Sequence, residues 1–151
     1  MSIHIVDRVQ KILLCATSTA VKNVVPLNLT VESPRSLTQS ILVNFGVLIG
    51  ITGDIKGKLV LTGDSELFGS IGEVMFGMQL ENEIMVSFSG ELGNMIAGGI
   101  ASSIFKDGIQ TDITAPTILS GNTSLSGYRN GLHIPVYFES VGRMGIHLLL
   151  D

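Results

Sequence analysis

Four residues in the middle of the chain have the types and spacing of a site on one face of a helix. Ser87, Glu91, Asn94 and Gly98 follow one another at intervals of four, three and four residues, which places them on the same side of an α-helix. They offer one carboxylate and one neutral amide among small side chains. An amide can donate and accept hydrogen bonds to hold a water molecule, and a carboxylate can pair with a cation or act as a base. The pattern therefore indicates a surface that could receive a macromolecule and activate water.

Spacing alone leaves a second interpretation open. A Glu and an Asn three residues apart on a helix are commonly part of a solvated surface without a function. The same segment contains glycines at positions 90, 93, 98 and 99, and each costs a helix roughly 1 kcal/mol relative to alanine. Tight packing of the helix on a sheet would explain them, and so would the close approach of a partner.

Three helices are predicted. Apolar residues recur every three or four positions in Ile3–Val24, which is typical of a helix with one buried face. A second helix is expected from an N-cap at Asp64 or Ser65 to Gly77. The third, which carries the four site residues, is expected at about Asn82–Lys106. Its predicted apolar stripe consists of Met85, Phe88, Leu92, Met95, Ile96, Ile100 and Ile104.

The remaining segments read as strands separated by glycine and proline. They are Leu27–Val31, Ser40–Thr52, Lys56–Thr62, Thr111–Ser120, Leu132–Glu139 and Gly142–Leu150, with a polar loop before Ser40 and a turn at Gly53-Asp54. Because strands and helices do not alternate strictly, a Rossmann-like parallel sheet is disfavoured. We predict an α+β fold in which helices cover one face of a largely antiparallel sheet, within a single domain spanning 1–151.

Composition limits the possible partners. The 151 residues are 45% hydrophobic and 15% charged, with a formal net charge of −4. The nine Lys and Arg residues form no basic run, which argues against nucleic acid as a partner. No stretch approaches the roughly 18 apolar residues of a membrane helix, and the segment before Cys15 is a poor match to a signal peptide. We therefore expect a cytoplasmic protein with no membrane insertion.

Other candidate residues give weaker signals. Cys15 has no His or second Cys near it in sequence, so we expect a small buried apolar residue and no metal ligand. His4, His133 and His147 are far apart in sequence and receive no role. Gly57-Lys58 is followed by Leu59 rather than the Ser or Thr of a phosphate-binding loop. No cofactor or metal is expected on this chain.

A resemblance to a known family changes the weight of the helical motif. The pattern Ser-x-x-x-Glu-x-x-Asn-x-x-x-Gly within 86–99 resembles the signature helix of the CheC/CheX/FliY phosphatases of bacterial chemotaxis. The similarity continues in 50–59, in 114–121 and in the closing strand pair. The preceding helix has Glu73 but Phe76 where the motif requires Asn. One intact helix is the pattern of the CheX type.

The resemblance implies a CheC-like/CheX-like fold and a protein phosphatase that hydrolyses the aspartyl phosphate of a CheY-like response regulator. Asn94 would position the attacking water, and Glu91 would pair with the regulator's lysine. Ser87 and Gly98 would contact the substrate protein, which would bring its own Mg²⁺. The resemblance also implies a homodimer, for which the apolar C-terminal segment could supply a sheet edge.

Two alternatives from other functional classes remain. The first is a non-catalytic adaptor that binds a phosphorylated receiver domain or a signalling scaffold through the same helix. The second is a small-molecule hydrolase in which Glu91 is a general base, although no second acid or metal cluster lies near it in sequence.

Overall fold

The fold is described from a computed structural model that covers residues 3–37 and 39–151. Within these residues the chain forms three helices and eight strands. The helices are α1 (Ile3–Val24), α2 (Ser65–Phe76) and α3 (Asn82–Phe105). The strands are β1 (Leu29–Val31), β2 (Arg35–Leu37), β3 (Ile41–Gly53), β4 (Gly57–Thr62), β5 (Thr111–Ile113), β6 (Thr117–Leu125), β7 (Asn130–Phe138) and β8 (Gly142–Leu150). None of the described helices is long and apolar enough to cross a membrane.

All strands join one antiparallel sheet, as the sequence predicts. Strands β7, β8, β4 and β3 lie side by side in that order. The short strands β1 and β2 both pair with β7, and β5 and β6 both pair with β3. Because β8 pairs on both sides, the C-terminal strand is interior to the sheet. The prediction that the C-terminal segment supplies an edge is therefore wrong for β8.

The helices cover one face of this sheet. Alternate residues of the central strands, such as Leu59 and Leu61 in β4, point into a core shared with all three helices, because successive side chains of a strand face opposite sides. Val60 points to the other face, where it forms a small second cluster with Ile41, Val43 and Leu149. A break in the pairing register between Val43 and Phe45 explains why these two odd-numbered residues belong to different clusters.

Helix boundaries agree closely with the sequence prediction, whereas two strand predictions were wrong. Strand β2 replaces the expected polar loop, since β7 offers it backbone partners that local sequence cannot reveal. The expected strand 111–120 is two strands, β5 and β6. They are separated around Pro116, which has no N–H to donate to a ladder. Strand β6 then continues past Gly121 to Leu125.

Three side chains also differ from expectation. Asp64 occupies the N-cap of α2 but its side chain makes no capping bond; its backbone carbonyl accepts from Leu67 and Phe68 instead. Met95 is exposed rather than part of the buried stripe of α3, because it lies only 40° around the helix from Glu91 at 100° per residue. Cys15 is exposed on α1 rather than buried.

Candidate functional site on the long helix

Two glycines of α3 allow the helix to pack closely against its neighbours. A Cβ at Gly93 would lie 2.8 Å from Val47 Cγ1 on β3, and one at Gly99 would lie 3.0 Å from the Cβ of Ala20 on α1. Gly90 is looser, since its Cβ would lie 3.4 Å from Pro116 Cγ. Close packing therefore accounts for Gly93 and Gly99 and offsets part of their cost in helix propensity, whereas a side chain at Gly90 would make only ordinary contact with Pro116.

Gly98 differs from the other three. A Cβ built at Gly98 would meet no atom within 4 Å, so the structure gives no packing reason for a glycine there. Helix propensity alone would favour almost any other residue except proline. Because Gly98 has no side chain, a partner can approach the backbone of α3 closely at this point.

The four predicted site residues share the outer face of α3. Ser87 and Glu91 are exposed, and Asn94 and Gly98 are half-buried. Within the described part of the chain, the side chains of Glu91 and Asn94 have neither a hydrogen-bond partner nor an ion-pair partner. Both functional groups are therefore available to a molecule that contacts this face.

The same face is unusually apolar for a surface in contact with water. Between Ile84 and Phe105, Glu91 is the only charged residue. Three large apolar side chains are nevertheless exposed on this side of the helix: Ile84 at 66%, Met95 at 40% and Phe105 at 65%. Large apolar side chains that are exposed together on one face are typical of a protein contact site. Sequence periodicity could have revealed Ile84 and Phe105, since both lie outside the buried stripe.

Helix α2 carries only half of the motif. Glu73 is exposed on α2, and three residues later stands Phe76, also exposed, in place of an amide. The rings of Phe76 and Phe88 on α3 form a T-shaped pair, with ring centroids 5.6 Å apart and an interplanar angle of 88°. Phe76 therefore helps to join the two helices and cannot position water as an asparagine could.

An acidic groove that no sequence pattern predicted adjoins the site. It lies between α2 and the start of α3, has a volume of about 1470 Å³, and reaches Ser87. Five carboxylates line it, with no Lys or Arg among the lining residues: Asp64, Glu66, Glu73, Glu81 and Glu83. All of them except Glu73, which lies in the last turn of α2, are at the N-terminal ends of the two helices, where acidic groups interact favourably with the helix dipole.

The structure also brings together two histidines to which sequence patterns assigned no role. His147 is buried and His133 is half-buried, and their rings lie 4.6 Å apart. Burial, and then the charge of His133, lowers the pKa of His147 to about 4. Burial lowers the pKa of His133, and the positive charge of Arg35 lowers it further. The side chain of His4 lies outside the described part of the chain.

Comparisons with known proteins identify the family to which this chain belongs. The family described as chemotaxis phosphatase CheX matches residues 45–137, more than half of the chain. A curated protein of Thermotoga maritima named CheY-P phosphatase CheX is 34% identical over 122 residues, which are 78% of this chain and 74% of that protein. This chain belongs to the CheX family. The region that matches CheX contains α2 and α3, and therefore all four predicted site residues.

Solved structures of CheX-like proteins share the fold. A CheX from Desulfovibrio desulfuricans has a TM-score of 0.80 at 17% identity and covers 95% of this chain and 99% of its own. The CheX of a CheX–CheY–BeF₃–Mg²⁺ complex from Borrelia burgdorferi has a TM-score of 0.78 at 19% identity, with 93% and 96% covered. A CheC-like protein from Shewanella oneidensis has a TM-score of 0.77 at 24% identity, with 93% and 96% covered. The predicted CheC-like/CheX-like α+β fold is thus confirmed.

Proposed function

We propose that this chain is a protein phosphatase that hydrolyses the aspartyl phosphate of a CheY-like response regulator. The observation that carries the proposal is the pair of unpaired polar groups, Glu91 and Asn94, on an exposed and otherwise uncharged helix face of a CheX-family protein. The relative from Thermotoga maritima that is named a CheY-P phosphatase supports the choice of substrate. A receiver domain is a cytoplasmic protein, so the proposal places the reaction in the cytoplasm.

Asn94 is proposed to hold the attacking water. In this reaction the oxygen of water forms a bond to phosphorus while the bond between phosphorus and the aspartyl oxygen breaks, which yields a free carboxylate and inorganic phosphate. The loose transition state of phosphoryl transfer requires mainly alignment and charge stabilisation. The amide of Asn94 can accept a hydrogen bond from the water and donate another to a phosphoryl oxygen. Its role would be to position the nucleophile.

Glu91 is proposed to orient the two proteins. It lies one turn before Asn94 on the same face and has no ion-pair partner within the described chain, so it is free to pair with a lysine beside the phosphorylated aspartate. A charge pair across an interface fixes the register of the two proteins more than it adds affinity. Removal of Glu91 should therefore misalign Asn94 as well as weaken binding.

Ser87 and Gly98 are proposed to let the receiver approach. They flank the Glu91/Asn94 pair by one turn on each side, and neither has a side chain long enough to hold a partner away. The exposed Ile84, Met95 and Phe105 would supply apolar contact area around them. No cofactor is assigned to this chain, and the Mg²⁺ needed to neutralise phosphoryl charge would belong to the receiver.

The test is the decay of the phosphorylated state of a Mg²⁺-loaded receiver domain, with and without this protein. We expect the wild-type chain to accelerate this decay. The Glu91→Ala/Asn94→Ala double variant should leave the decay at the rate of the receiver alone. An adaptor would bind the phosphorylated receiver without accelerating its decay. Small acyl phosphates in place of the receiver test the small-molecule hydrolase alternative, since only such an enzyme would cleave them efficiently.

We also propose that the protein is a homodimer. Strand β6 pairs only with β3 in the described residues, so one side of this nine-residue strand presents unpaired backbone groups, which are a template for strand addition. Light scattering after size-exclusion chromatography is expected to give twice the 16.0 kDa of one chain. A mass equal to one chain would contradict the dimer without affecting the proposed chemistry.

A further inference from the structure

Two histidines face each other on the sheet surface opposite the helices. His133 on β7 and His147 on β8 are direct cross-strand partners. Their strand neighbours Leu132, Ile134, Ile146 and Leu148 point into the main core, so both imidazoles lie on the other face. The two Nδ1 atoms are 3.2 Å apart, and the ring planes are tilted by 42°.

Thr62 on the next strand fixes the orientation of His147. Its hydroxyl oxygen is 3.0 Å from Nε2 of His147, and it donates to the carbonyl oxygen of Gly145 at 3.4 Å. The Thr62 oxygen then accepts the Nε2–H of His147, and Nδ1 of His147 keeps a lone pair. Gly145 makes this arrangement possible, because a Cβ there would lie 2.6 Å from the Thr62 oxygen and 3.0 Å from Nε2 of His147.

We propose that His133 and His147 bind a divalent transition-metal ion, Zn²⁺ or Cu²⁺, between their Nδ1 atoms. Two Zn–N bonds of about 2.0–2.1 Å at a tetrahedral angle place the nitrogens about 3.3 Å apart, close to the observed 3.2 Å. Imidazole suits both ions. A histidine that binds a metal through one ring nitrogen is commonly held in position by a hydrogen bond from the other. The hydrogen bond from Nε2–H of His147 to Thr62 is of this kind.

Binding requires only one proton to move. Without metal, Nδ1–H of His133 donates to Nδ1 of His147. With metal, this proton transfers to Nε2 of His133, which lies on the half-buried ring and can reach solvent. Both Nδ1 lone pairs then face the ion, and no proton is released.

The remaining coordination positions are open. No group of three or more His, Cys, Asp and Glu side chains within the described residues could hold a metal, so water or an added ligand must complete the coordination. A cavity of about 420 Å³ beside His133 gives access. Arg35 and Arg143 line it and oppose a cation, while Glu32, which accepts from Arg143 at 2.8 Å, compensates in part. We therefore expect weaker binding than at a site with three protein ligands.

Titration calorimetry with Zn²⁺ tests the proposal on tag-free protein in a Cys15→Ser background, which removes an exposed thiol that could also bind the metal. We expect one Zn²⁺ per chain and at least a tenfold loss of affinity in His133→Gln. The half-buried His133 is a safer position to change than the buried His147. Electron paramagnetic resonance of the Cu²⁺ form is expected to show two imidazole nitrogens.

Two further variants separate this site from nonspecific binding. Thr62→Val keeps the side-chain shape but removes the acceptor for Nε2–H, and should weaken Zn²⁺ binding about tenfold while the fold remains intact by circular dichroism. Asn94→Ala should bind Zn²⁺ as the parent does. Equal affinity in the parent and His133→Gln, or no binding at millimolar Zn²⁺, would mean that the two nitrogens form only a hydrogen bond.

Discussion

Replacement of Asn94 by alanine is expected to lower kcat for receiver dephosphorylation about a hundredfold, which corresponds to about 2.7 kcal/mol of lost transition-state stabilisation. The amide is proposed to act on the attacking water, which is aligned only in the transition state. The change should therefore appear in kcat and leave KM nearly unchanged. Single-turnover decay of the phosphorylated receiver, at several concentrations of this protein, separates the two constants.

The fold should tolerate this substitution. The side chain of Asn94 has no partner within the described residues, and alanine is a better helix former than asparagine, so thermal stability should stay the same or rise slightly. Asn130→Ala provides a matched control, since Asn130 is an exposed asparagine on β7, outside α3. Full activity in Asn94→Ala, with the fold intact, would overturn the proposed role of the amide.

The Gly98→Leu and Gly93→Leu substitutions are expected to change the stability of the fold in opposite directions. At Gly98 a new side chain meets open space, so the fold should be as stable or up to about 1 kcal/mol more stable, because glycine disfavours a helix. Activity should fall at least tenfold through KM, since the side chain would hold the receiver away from Asn94. Gly98→Ala should give an intermediate loss.

At Gly93 the expected loss is one of stability. Its Cβ would come within 2.8 Å of Val47 and 3.2 Å of Ile49, both fully buried, and overpacking of this kind typically costs about 1–3 kcal/mol. Urea unfolding with a kinetic assay on the same samples measures both quantities. A Gly98→Leu variant that is stable and fully active would show that the receiver does not dock at this part of α3.

Local sequence was sufficient for the long elements. A period of three to four residues identified α1 and α3 almost to the residue, and segments rich in Ile, Leu and Val next to glycine identified the β3–β4 hairpin and β8. The same local information placed Ser87, Glu91, Asn94 and Gly98 on one helix face. Periodicity succeeds here because each such element shows one side to the core and the other to water over many residues.

Tertiary structure decided what depends on contacts between distant segments. Strand β2 is three residues long and exists because β7 offers it backbone partners, so local sequence could not predict it. Only packing distinguishes Gly93 and Gly99, which touch other elements, from Gly98, which touches none. The sequence motif could not separate these glycines, since all of them carry the same penalty in a helix.

The histidine pair shows the same division between local and long-range information. His133 and His147 are fourteen residues apart, and sequence patterns assigned neither of them a role. The register of β7 against β8 sets them directly opposite each other, and Gly145 leaves the space they occupy. The sequence by itself therefore determined the long helices and strands and the exposed Glu–Asn motif. The tertiary structure decided which small residues pack and which stay open, and which polar side chains meet, because both depend on register between segments that local periodicity does not encode.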